Sequence, residues 1–141
     1  MEIVMKNSDI DVLPSISREV VAIALWATQI ILALLFLFAG VMKFVVPVEE
    51  MTKGSSLPGS FFHFIGVMEV LGGIGLILPS LFRILPVLTP ITACALVIIM
   101  VGATVISAPM GWVAFFPFLV GILTAFIAYG RLRLLPIQPR R

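Results

Sequence analysis

The sequence predicts an all-α integral membrane protein, a bundle of four transmembrane helices, and three observations carry that prediction. Of its 141 residues 61% are hydrophobic and only 11% charged, against roughly 45–50% and 25% in soluble domains. The apolar residues fall in uninterrupted runs long enough to span a bilayer. The lysines and arginines gather at the ends of those runs. At a mean hydropathy of +1.23, a soluble globule could not cover its own core with polar surface, so the solvent is largely lipid.

The same composition excludes several classes of function. A net charge of +2, with basic residues confined to chain ends and loops, offers no face for nucleic acid. One cysteine, Cys94, permits neither an intramolecular disulfide nor a CxxC redox pair. One histidine, His63, rules out a bis-histidine haem site within a single copy. No metal site and no catalytic constellation is expected. The first 19 residues mix Glu2, Lys6, Asp9, Asp11, Arg18 and Glu19, and the apolar run behind them exceeds a signal-peptide core. They read as a polar N-terminal segment, followed by a membrane domain over 20–130 and a basic tail over 131–141.

Each span has its own evidence. The first, 20–44, opens on the 23-residue run Val20–Met42 and is closed by Pro47. A polar loop with Glu49, Glu50, Lys53 and Pro58-Gly59 leads to the second, 60–78, whose single charge is Glu69. Pro79-Ser80 and Arg83 end it. From Ile84 to Gly130 there are 47 residues without a charge, too many for one crossing and about right for two. The break belongs at Ser107-Ala108-Pro109-Met110-Gly111, where proline and glycine favour a turn. That divides the stretch into spans at 85–107 and 112–129, with Pro86 and Pro90 in the first turns of the third, where a missing N–H costs least.

With four spans, Lys6, Arg18, Arg83, Arg131, Arg133, Arg140 and Arg141 share one side, and Lys43 and Lys53 the other. Positive charge marks the cytoplasmic side, so both termini are expected in the cytoplasm. Trp112 and Tyr129 bracket the fourth span as interface anchors.

Polar groups inside the spans nominate a site. Trp26, Gln29, Ala33, Phe36, Gly40 and Lys43 are spaced 3, 4, 3, 4, 3 and lie on one helix face. Gln29 and Lys43 are the strongly polar side chains of that helix. In the second helix Glu69 shares its face with Gly66, Gly72 and Gly73, which admit a neighbouring backbone. A bare carboxylate facing lipid costs about 3 kcal/mol, so Glu69 is paired, protonated or hydrated. Lys43 is the expected ion-pair partner, reaching inward, and Gln29, counted to a similar depth, is expected to hydrogen-bond the same carboxylate. The plain reading is a charge pair that fastens two helices; the functional one is a proton, quinone or ligand site. His63 reads as an interface residue and Cys94 as a small apolar filler. Thr89, Thr92, Thr104 and Ser107 are expected to bond to their own helix backbone.

Ala39-Gly40-Val41-Met42-Lys43 resembles a signature of the DoxX-like membrane proteins. Ile65-Gly66-Val67-Met68-Glu69 followed by Gly75-Leu76-Ile77-Leu78-Pro79 is similar to their second conserved segment. Leu88-Thr89-Pro90, Met100-Val101-Gly102-Ala103 and Tyr129-Gly130-Arg131 continue the resemblance, which covers about Trp26 to Arg131. It implies a four-helix bundle in a bacterial cytoplasmic membrane. It also links the chain to a wider group in which DoxD is a subunit of a thiosulfate:quinone oxidoreductase. One position departs: such sequences often carry a histidine where Ser107 stands, so a metal or proton-relay role there loses its basis.

Two classes of function stay open. The first is an accessory membrane subunit of a redox system, working near the quinone pool with a diffusible quinone or a partner's cofactor, since its own residues hold none. The second is a non-enzymatic membrane module that binds lipid, a small molecule or a protein partner, with a small transporter as its weaker form. Either leaves room for a homo-oligomer.

Overall fold

The computed structural model describes residues 15–138, so the expectations for 1–14 and 139–141 lie outside the described residues. Among the described residues four long helices form the bundle: α1 (Ser15–Val45), α2 (Gly59–Phe82), α3 (Leu88–Ser107) and α4 (Phe115–Tyr129). Among the described residues there is no strand. Three continuous helical stretches are long and apolar enough to cross a membrane, over 17–45, 59–82 and 88–134.

The last of these is two helices in succession. A 3-10 segment, Ala108–Ala114, follows α3, and inside it Gly111 takes φ 71° and ψ −121°, outside any helical conformation. A side chain is strongly disfavoured at such a φ, so glycine sets the point where the chain reverses. α3 and α4 then pack side by side as an antiparallel pair, with Met100 against Gly121. The end of α4 passes into a π-helical turn, Gly130–Leu134.

Boundaries differ from the sequence reading in four places, one of them α4, which begins at Phe115 and not at Trp112 because the 3-10 segment runs on to Ala114. α1 begins at Ser15 and not at Val20, because Arg18 and Glu19 are good helix formers and the helix continues beyond the apolar run. α2 runs through Pro79 to Phe82, since one missing N–H does not stop a helix held by packing. It ends where Arg83 turns left-handed at φ 57°. α3 starts after Pro86, at Leu88, and keeps Pro90 in its first turn.

The bundle is apolar outside as well as inside, with a few polar side chains buried in its core. Its core is Leu32, Ala33, Phe36, Leu76, Ala93, Leu96, Met100, Val120, Ile127 and Ala128, and buried among them are Gln29, Glu69, Thr89, Thr124 and Arg131. Large side chains such as Phe38, Ile98 and Trp112 point outward. That arrangement suits lipid, which rewards neither a polar surface nor an unpaired polar group.

Candidate functional site

α1 and α2 are fastened along the stripe that the 3-4 spacing of α1 creates. Gln29, Ala33, Phe36 and Gly40 are buried, and Trp26 and Lys43 are half-buried at its two ends. The closest approach is glycine to glycine. A Cβ built on Gly40 would lie 2.7 Å from the Gly66 carbonyl oxygen, so the two backbones touch there. Gly73 meets Ala33 and Leu37 of α1, whereas Gly72 turns to Leu96 of α3.

One turn from the glycine contact, Lys43 Nζ donates to Glu69 Oε2 at 2.6 Å. The Glu69 side chain is 6% exposed and that of Lys43 24%. The lysine stem therefore shields the pair on one side and leaves the ammonium within reach of a polar phase. The other carboxylate oxygen, Oε1, has no hydrogen-bond partner among the described residues.

The pair forms the polar end of a cleft of about 420 Å³ between α1, α3 and the start of α4. Phe36 and Ala39 of α1, Met100 and Ala103 of α3 and Phe116 and Val120 of α4 wall it. Ser107 and Trp112 stand at the turn between α3 and α4 on its rim. Small-molecule sites are commonly concave and apolar with a few fixed polar groups. This one offers an ammonium donor and a carboxylate acceptor on one wall. It can hold a flat or chain-like apolar body that carries a carbonyl or hydroxyl.

Gln29 does not join that site. Its Nε2 donates to the Leu76 carbonyl at 2.6 Å and to Ser80 Oγ at 3.4 Å, and its Oε1 accepts from Arg131 Nε at 2.5 Å. The expected bond to Glu69 fails on register. α1 has 31 residues and α2 has 24, and the surplus of α1 overhangs α2 at the end where α1 begins. Gln29 thus lies opposite Leu76, seven residues from Glu69, or about 10 Å along the helix.

A second polar cluster results at that end. Ser80 Oγ and Thr89 Oγ1 share a hydrogen bond of 2.7 Å across the α2–α3 turn, so Thr89 bonds across helices and not to its own backbone. The Arg131 guanidinium lies 5.0 Å from the centre of the Trp26 ring. Arg131 is the member that the sequence did not nominate. Its motif, Tyr-Gly-Arg at a helix end, reads as a flanking charge, and its contact with Gln29 spans 102 positions of the chain.

Other nominated residues have ordinary surroundings. His63 stacks on Phe44 with ring centres 5.2 Å apart. Thr104 returns its hydroxyl to the Met100 carbonyl. Cys94 is exposed on the outer face of α3 and fills no gap, because its neighbours Ala93 and Leu96 take the inward positions. Among the described residues no group of three or more His, Cys, Asp or Glu side chains stands close enough to hold a metal ion.

In comparisons with known proteins, the DoxX-like family matches residues 27–129. No match was found among curated proteins or among solved structures.

Proposed function

The chain belongs to the DoxX-like family of membrane proteins, and from that premise we propose that it is an accessory membrane subunit of a redox system, holding a quinone-like molecule in the cleft beside Lys43 and Glu69. The observation that carries this reading is the position of the ion pair at one end of an apolar cleft of about 420 Å³. A quinone is a flat apolar ring with carbonyl oxygens. The Lys43 ammonium is a donor for such a carbonyl, and Glu69 Oε1 an acceptor for the hydroxyl of the reduced form. With one histidine and one cysteine in the chain, the group that exchanges electrons with the quinone belongs to a partner protein.

The same reading puts the protein in a bacterial cytoplasmic membrane with both chain ends in the cytoplasm, supported by the excess of Lys and Arg on that side. Purification in mild detergent followed by quinone extraction tests it. About one quinone per chain is the expected result. A co-purifying lipid in its place would favour a lipid-binding module. A direct assay uses Trp112, on the rim of the cleft: a short-tailed quinone should quench its emission saturably, and quenching that rises without saturation would count against the site.

A further inference from the structure

Arg131 is buried to 5% exposure, yet among the described residues its charge has no counter-ion. Its Nε is engaged by Gln29 Oε1 at 2.5 Å. Its Nη1 reaches the Leu135 carbonyl at 3.3 Å, beyond the usual range for N–H···O bonds. Its Nη2 is buried and has no hydrogen-bond partner among the described residues. The ion pairs Lys43–Glu69 and Lys53–Glu50 both lie at the opposite end of the bundle. A guanidinium withdrawn from water without an anion is costly, and so is a buried donor left unused. Such a group marks a place where an acceptor belongs.

From this we infer that Arg131 is the core of an oxyanion site, which takes a phosphate group of an anionic phospholipid or free phosphate. The geometry selects that chemistry. Gln29 occupies the Nε edge and Trp26 one face of the guanidinium. What remains is the Nη1–Nη2 edge, a fork whose two parallel donors match two oxygens of one phosphate. Leu135 O stands in for one of those oxygens. Arg131 follows the end of α4, at the depth where a spanning helix meets the headgroups. Arg83 and Arg133, both exposed at the same end, add positive charge around it.

The test uses Trp26 as a local reporter. Of the two tryptophans, Trp112 is replaced by phenylalanine, so the full-length chain in neutral detergent reports on the guanidinium face alone. Titration with phosphatidylglycerol should change Trp26 emission saturably, whereas phosphatidylcholine, with no net charge, should act far more weakly. Inorganic phosphate forms the second arm. If it reproduces the change, the site accepts the free ion; if only phosphatidylglycerol does, the ligand is the lipid headgroup. Lys53→Gln, at the opposite end of the bundle, should leave the response in place and Arg131→Gln should remove it. Arg131→Lys keeps the charge but loses the fork, and should weaken binding on the order of tenfold. A saturable response in neither arm overturns the proposal, as does an equal response in Arg131→Gln. Should Arg131→Gln not fold, unchanged affinity in Arg131→Lys overturns it in the same way.

Discussion

Lys43 and Glu69, 26 positions apart in the chain, meet at 2.6 Å between α1 and α2, and the carboxylate is the more deeply buried partner. Removing one charge of a buried pair leaves the other without compensation, which typically costs 3–5 kcal/mol. Lys43 keeps about a quarter of its side chain exposed and can turn outward, so Glu69→Ala is expected to cost about 2 kcal/mol, below the range for sealed pairs. Lys43→Ala strands the buried carboxylate and should cost more. The double variant Lys43→Ala/Glu69→Ala is expected to be less destabilised than the sum of the two. Thermal melts in detergent measure this, and strict additivity would mean that the two residues are not coupled.

The two ends of the seam were not equally legible from sequence. Spacing puts Trp26, Gln29, Gly40 and Lys43 on one face whatever the tertiary structure, because a helix repeats every 3.6 residues. The Lys43–Glu69 contact also follows from counting depth inward from the loop between the two helices, with the long lysine side chain closing the difference. Gln29 was misplaced because its depth depends on how far α1 overhangs α2. Helix ends are poorly marked when Arg18, Glu19 and Pro79 are all absorbed into helices. Arg131 reads as a flank charge, for nothing local says that the end of α4 turns its guanidinium back over Trp26. The cleft is not legible for a similar reason: its walls come from three helices, and wall residues such as Met100, Ala103, Phe116 and Val120 look like lipid-facing filler.

Close backbone contact at Gly40 makes a sharp prediction. A methyl group there would stand 2.7 Å from both the Gly66 carbonyl oxygen and a Val70 methyl, so Gly40→Ala should destabilise by about 1–3 kcal/mol, as overpacking does. Gly102 provides the control, with nothing within 4 Å of an added Cβ. Gly102→Ala should be neutral or stabilise by up to about 1 kcal/mol through helix propensity. Equal melting temperatures for the two variants would contradict the α1–α2 contact.

Gln29 joins three helices through its amide, touching Leu76, Ser80 and Arg131. Gln29→Leu preserves most of the volume and strands the Arg131 Nε. Bonds to charged groups contribute about 1.5–3 kcal/mol each, and a loss of at least that size is expected in equilibrium unfolding. A loss well under 1 kcal/mol would show that water or lipid readily replaces the amide.

Topology is testable without purified protein. Reporter fusions after Arg133 should signal cytoplasm, and fusions between Glu49 and Ser56 should signal the far side of the membrane. An external C-terminus would overturn either the count of four crossings or the charge argument behind the orientation.

Glu69→Gln separates fastening from function. The amide is nearly isosteric, and its oxygen can still accept from the Lys43 ammonium at the site of Oε2. Lys43 then lacks a counter-ion, but its exposed quarter lets the ammonium move toward the cleft mouth. If the pair only fastens α1 to α2, the variant should melt slightly lower and bind a short-tailed quinone as before. If the cleft is the site of function, the amide carries one change that matters there. With the amide oxygen held by Lys43, the NH2 takes the Oε1 position, so an ionised acceptor in the residue lining the cleft is replaced by a donor. Affinity for the reduced, hydroxyl-bearing form should then fall by at least tenfold, the factor worth about 1.4 kcal/mol, because a charged acceptor forms the stronger bond. The oxidised form, which needs only the lysine donor, should bind almost unchanged. That asymmetry between the two redox forms, read from Trp112 quenching in the intact variant, is the expected result. Equal affinities for both forms in both proteins would reduce Glu69 to a fastener.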